Sequence, residues 1–185
     1  SLAYSPEGAK EVAAQTGENY LKGTVLEDIS DGTDSVLYQE VYPSTDLVYV
    51  NTGNGVKENI ILREKTENNV FTFKVTLANL KIGQDEEGNT AFVDPEGRGV
   101  FSLCHLFAVD AKGIETDKVD CTVYEEGGQV FIKLAVDEGF LHDPETTYPV
   151  IIDPTVIITG SQTPDTFIAS KGPNTNYNSG SNGCQ

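Results

Sequence analysis

From Val36 onward the chain is a succession of short runs rich in Val, Ile, Leu, Phe, Tyr and Thr, separated by clusters of Gly, Asn and Asp. That spacing is the signature of strands and turns. Val70 to Leu77 (VFTFKVTL) shows it best, because Phe71, Phe73, Val75 and Leu77 fall on one side and Val70, Thr72, Lys74 and Thr76 on the other. Such alternation predicts a strand with one dry face. Val36 to Tyr42 and Leu47 to Asn51 flank the turn-like PSTD, and TGNG leads into Val56 to Arg63. DEEGN at Asp85 to Asn89 is a turn, followed by Thr90 to Val93 and then Val100 to Val109. A turn over Ala111 to Gly113 predicts a hairpin between Val100 to Val109 and Glu115 to Tyr124. EEGG at Glu125 to Gly128 predicts a second hairpin, into Gln129 to Val136. Glu138 to Asp143 reads as a helical turn. Val150 to Ile152 and Val156 to Thr159 read as strands on either side of an Asp-Pro break, since proline removes a ladder donor.

The expected fold is therefore all-β, an antiparallel, sandwich-like domain built from hairpins over residues 36–160. Residues 1–35 are weakly patterned and read as a leader, with at most a helical turn at Ala9 to Ala14. Residues 161–185 are nearly uncharged and rich in Gly, Asn and Ser, the composition of a disordered linker or of the opening of a second β-domain.

Charge narrows the partners. The chain has 185 residues, with 12 Lys plus Arg against 29 Asp plus Glu, a formal charge of -17. A surface so poor in basic groups offers little to phosphate backbones or anionic lipid, so neither nucleic acid nor membrane insertion is expected. No apolar run reaches the 18 residues of a membrane span. Ser1 is not an initiating Met, which leaves room for a signal sequence in a precursor.

The three cysteines, Cys104, Cys121 and Cys184, have no metal-ligand spacing. With the first hairpin turning over Lys112 and Gly113, Cys104 and Cys121 fall opposite each other, at a Cβ separation of about 4.5–5.5 Å that a disulfide can close. The alternative is two small buried hydrophobes side by side. Cys184 is unpaired on this reading.

Catalytic chemistry is hard to assemble. His105 follows Cys104 in a strand, so the two side chains point to opposite faces. His142, in LHDP, reads as a helix-end residue bonded to backbone or a carboxylate. Glu40, Asp46 and Glu58 are candidate acids of a glycoside-acting pair, but each reads far more readily as a turn-capping or solvated group. Acidic turns supply hard oxygen ligands at Asp28, Asp31 and Asp34 in EDISDGTD, and at Asp85 in DEEGN. These are candidate calcium ligands without the spacing of a calcium-binding helix-loop-helix. No other cofactor is expected.

The order of segments resembles a known family. DLVYVNTGNGVKENIIL (Asp46 to Leu62), then FTFKV (Phe71 to Val75), DEEGNTAFVDPEGRGVFSL (Asp85 to Leu103) and LHDPETTYPVIIDPTV (Leu141 to Val156) resemble the region before the repeats of large extracellular bacterial YD-repeat (Rhs-like) proteins. These include wall-associated proteins and polymorphic-toxin carriers. DTFIASKGPNTNYNSGS (Asp165 to Ser181) resembles the start of a DNRLRE-type domain. The resemblance implies a secreted or cell-surface protein, in which this segment is a non-catalytic structural or linking β-domain contacting its neighbours in the same polypeptide. Two alternatives are a carbohydrate-binding module for cell-wall polysaccharide, with Asn174, Asn176 and Tyr177 as glycan contacts, and a fragment of a glycoside-acting enzyme.

Overall fold

The computed structural model describes residues 2–16, 20, 35–51, 55–85, 88–103, 106–153 and 155–158. Five strands come first: β1 (Leu2–Pro6), β2 (Gln15–Thr16), β3 (Ser35–Tyr42), β4 (Thr45–Asn51) and β5 (Gly55–Leu62). β6 (Val70–Leu77), β7 (Lys81–Gln84), β8 (Thr90–Val93), β9 (Gly99–Leu103) and β10 (Phe107–Val109) follow. The remainder are β11 (Glu115–Thr116), β12 (Val119–Glu126), β13 (Gln129–Val136), helix α1 (Glu138–His142), β14 (Val150–Asp153) and β15 (Thr155–Ile158). The all-β antiparallel class expected from the sequence is the one found.

The strands form two sheets. The smaller has the order β1-β6-β13-β12 and the larger holds eleven strands. At the centre of the larger sheet β5 pairs along its length with β4, and on its other side with β14 and β15 laid end to end. Both keep one register, Val150 opposite Leu62 and Thr155 opposite Lys57. On their far side the partner changes, β14 pairing with β10 and β15 with β9. One sheet neighbour thus gives way to the next between the end of β14 and the start of β15.

Alternation sets the core. Phe71, Phe73 and Val75 of β6, with Ile132 and Leu134 of β13, join Leu47, Ile60, Leu62, Phe92 and Ile152 of the larger sheet in one buried cluster. Each such side chain contributes about 1.5–3 kcal/mol by leaving water. A second cluster, with Val48, Val50, Ile61, Val109 and Ile151, lies on the opposite face of the larger sheet. Because Ile60 and Ile61 belong to different clusters, β5 is buried on both faces.

Several local expectations are corrected. Val100 to Val109 does not run as one strand against Glu115 to Tyr124. Only Ala108 with Thr116 and Val109 with Glu115 pair before the chain crosses to the smaller sheet. There β12 pairs with β13 and sets Cys121 opposite Leu134. The crossing puts Val119 into the inter-sheet core, a burial that a longer hairpin with Val100 to Val109 would not provide. Cys121 is accordingly a free thiol, not half of the expected disulfide, and Cys104 lies outside the described residues. Residues 2–16, read as a leader, contribute β1 and β2, and Ala9 to Ala14 is not helical. Leu2 and Tyr4 are the reason, since both pack on the inter-sheet core. The helical turn after Val136 is present as α1, capped by the Asp137 carboxylate, which accepts from the Phe140 N–H at 3.1 Å.

Candidate functional site

The register of β4 on β5 sets Tyr49 opposite Glu58. Glu58 shares its face of β5 with Ile60 and Leu62, so its side chain enters the inter-sheet core, where the residue is only 3% exposed. It hydrogen-bonds to Tyr49, while Oε1 is buried without a partner. The Tyr4 hydroxyl from β1 is likewise buried and unpartnered. The Tyr4 ring lies 6.2 Å from that of Tyr49 and 6.1 Å from that of Phe73, and Tyr38 meets Tyr49 edge-on at 5.8 Å. Burial pushes the Glu58 carboxyl up to about 8, against the smaller opposing effect of the Tyr49 hydrogen bond. Near neutral pH it is therefore chiefly a neutral acid. Burial, reinforced by Glu58, also raises the Tyr4 and Tyr49 hydroxyls well above the usual range.

A second polar centre occupies the other face of the same strands. The register of β3 on β4 shifts between Tyr38 and Tyr42, and Glu40 (φ 59°) and Ser44 (φ 54°) adopt left-handed backbone there. Asp46, fully buried, accepts from the Glu40 N–H at 2.7 Å and from the Tyr20 hydroxyl. Arg63 bridges, with Nε 3.4 Å from Asp46 and Nη2 on the Glu40 carboxylate. Burial raises the Asp46 carboxyl, and the Tyr20 hydrogen bond partly offsets it.

Of the three acids the sequence offered as turn or solvated groups, Glu40 is exposed, whereas Asp46 and Glu58 are interior. The signal for Glu58 is its parity: in VKENIILR it falls in step with Ile60 and Leu62. Asp46 falls in step with Val48 and Val50 in the same way, whereas its partners Tyr20 and Arg63 are distant in the chain and leave no local signal. Glu58 and Asp46 lie on opposite faces and do not form a paired-carboxylate site.

The LHDPETTYP segment is locked by its own polar groups and by Asp110. Asp110 Oδ1 accepts from the Lys112 and Ile114 N–H groups at 2.8 Å each, and its Oδ2 from Thr147 at 2.9 Å. Burial alone would raise this carboxyl, but the three N–H groups outweigh it and hold the Asp110 pKa below the usual range. Thr146 Oγ1 donates to the Phe140 carbonyl at 2.7 Å and the Tyr148 hydroxyl to that of Leu141 at 2.8 Å. His142 Nε2 lies 3.3 Å from the Thr66 carbonyl, the backbone role expected of it. Asp153, next to the Asp-Pro break, is 1% exposed and ion-paired with Lys57 at 2.6 Å.

Among the calcium candidates, Asp85 accepts from the Asn89 N–H at 2.8 Å and from its side-chain amide at 3.1 Å. Asp28, Asp31 and Asp34 lie outside the described residues, as do His105, Cys184 and the glycan candidates Asn174, Asn176 and Tyr177. Among the described residues no group of three or more His, Cys, Asp or Glu is placed to hold a metal, and no helix is long and apolar enough to cross a membrane.

No family model and no solved structure matches the chain. It is similar to three curated proteins: the tRNA3(Ser)-specific nuclease WapA of Bacillus spizizenii, 33% identical over 161 residues, the tRNA nuclease WapA of Bacillus subtilis, at 32%, and the tRNA(Glu)-specific nuclease WapA of Bacillus subtilis subsp. natto, also at 32%. Each match covers 83% of this chain and 7% of the relative, so the matched region has extensive neighbours in those proteins. The relatives are named for cleaving tRNA. That finding corrects the assignment to YD-repeat carriers and the expectation of a non-catalytic linker or a polysaccharide-binding module. It also corrects the expectation that no enzyme is involved.

Proposed function

We propose that this chain is a β-domain of a large tRNA nuclease, secreted or displayed at the cell surface, whose other domains are its immediate partners. The carrying observation is the similarity to the WapA nucleases over 83% of the chain. Nucleic acid, set aside on the sequence's charge, thereby returns as the substrate of the whole protein. A net charge of -17 opposes contact between this domain's own surface and phosphate, so the proposal places the tRNA contacts on other parts of the polypeptide. The interior carboxylates fit that division. Glu58 and Asp46 are enclosed by side chains of the fold and do not meet a polynucleotide.

The test is tRNA cleavage by the purified product of the complete open reading frame that contains this chain. Discrete shortening of tRNA, with duplex DNA left intact, is the expected result. Intact tRNA in the same assay, alongside an active WapA nuclease as control, overturns the proposal. Fractionation of producing cells checks the location, which the proposal puts in the wall or the medium.

A further inference from the structure

Among the described residues, Glu58 Oε1 and the Tyr4 hydroxyl are both buried without partners, and they belong to one aromatic cluster. Glu58 sits on β5, in the middle of the larger sheet, and Tyr4 on β1, the outer strand of the smaller. The two sheets therefore meet here across a carboxyl group.

We propose that Glu58 is a proton-operated latch on β1: while its carboxyl holds a proton the strand stays closed over it, and loss of the proton releases Leu2 to Ser5 from β6 and admits water. This goes beyond the nuclease reading and does not depend on it.

An ionised carboxylate in an apolar interior carries a heavy desolvation cost unless paired or hydrated. The groups facing Glu58 are Tyr49 from β4, Tyr4 from β1 and Tyr42 from β3, with Glu7 adjoining Tyr42, while β6 contributes Phe73 behind Tyr4. None of these is a cation. Hydration is the relief left to it. Opening at β5 would break pairing on both sides of that strand and expose two buried faces. Opening at β1 breaks five register positions with a single neighbour and exposes Leu2 and Tyr4, which are only partly buried in the closed form. Local openings follow the cheapest route, and β1 provides it.

The chain also has a stop for the movement. Just beyond β1 the Glu7 N–H donates to the Thr72 carbonyl at 2.8 Å, and the Tyr42 hydroxyl to the Glu7 carbonyl at 2.6 Å. The Lys10 N–H donates to the Val41 carbonyl at 2.7 Å. Release therefore ends near Pro6. The Glu58 carboxyl, pushed up to about 8 while β1 is closed, puts the upper limit on the pH over which the latch opens.

Hydrogen exchange read by mass spectrometry on the 185-residue chain, corrected for the intrinsic effect of pH, tests this. Between about pH 6.5 and about pH 9.5, protection of the Leu2 to Ser5 amides is expected to fall at least ~10-fold while β14 keeps its protection. Glu58→Gln, which cannot ionise, is expected to hold β1 closed at both values. An undiminished fall in Glu58→Gln, no fall in the native chain, or a fall shared equally by β14 overturns the latch. Carbon NMR of the Glu58 carboxyl supplies a check that needs no variant: titration alongside the β1 opening supports the proposal, and titration in the ordinary carboxylate range overturns it.

Discussion

Replacing Glu58 by Gln removes one ionisable group from the inter-sheet core and leaves a side chain of nearly the same shape. The native carboxyl titrates at about 8, against 4.5 for an unperturbed glutamate. Between those values the unfolded chain has released this proton and the folded chain retains it. Folding stability then falls as pH rises, by about 1.4 kcal/mol per unit from this group alone. The contribution is fully present below the unfolded value and lost by the time pH passes the folded one. Over the whole interval the loss is about 5 kcal/mol, an upper figure that applies while β1 stays closed. Gln keeps the shape of the side chain and an acceptor for Tyr49, so the variant is expected to fold. The assay is urea unfolding of both proteins across the interval, read as the difference between their stabilities, in which contributions from other groups cancel. That difference should be level in acid, grow in favour of the variant as pH rises, and level off again above about 8. A difference that does not change with pH refutes the reasoning, because it means that Glu58 is ionised in the folded protein as readily as in the unfolded one.

Other centres give predictions of different sign. Asp110→Ala strands three N–H groups beneath the Thr147 segment and should cost about 3–5 kcal/mol in chemical denaturation. In the native chain the stabilising contribution of Asp110 is present above the unfolded carboxylate value, 3.8, and lost as pH falls through the lower folded one, so acid unfolding should be shallower in the variant. Lys57→Ala leaves the buried Asp153 carboxylate without its 2.6 Å partner and should cost about 3 kcal/mol by the same measurement. Cys121, whose thiol is pushed up to about 11 by burial, should alkylate far more slowly at mildly alkaline pH than an unfolded control, as read by peptide mass mapping. Recovery of Cys121 in a disulfide from unreduced protein would contradict its placement opposite Leu134.

What the sequence determined by itself was strand identity. The period of two in VFTFKVTL and QVFIKLAV, and the short apolar run of TAFV, are local information, and these runs became β6, β13 and β8 with unchanged limits. The helical turn after Val136 was legible for the same local reason, an acidic cap ahead of a short helix-compatible run. Parity in VKENIILR even carried the direction in which Glu58 points, though not that anything would cover it. Only the tertiary structure decided partners and burial. Val100 to Val109 broke into β9 and β10 because β15 and β14 meet them in separate registers. Glu115 to Tyr124 divided between sheets because burying Val119 in the inter-sheet core outweighed lengthening a hairpin, and the expected cysteine pairing went with that hairpin. Asp46 and Glu58 became interior acids through Tyr20, Arg63 and Tyr4, contacts made across long stretches of chain. Alternation assigns each side chain to a face, whereas the environment on that face, and with it the charge state of a carboxyl group, depends on which distant strand comes to lie against it.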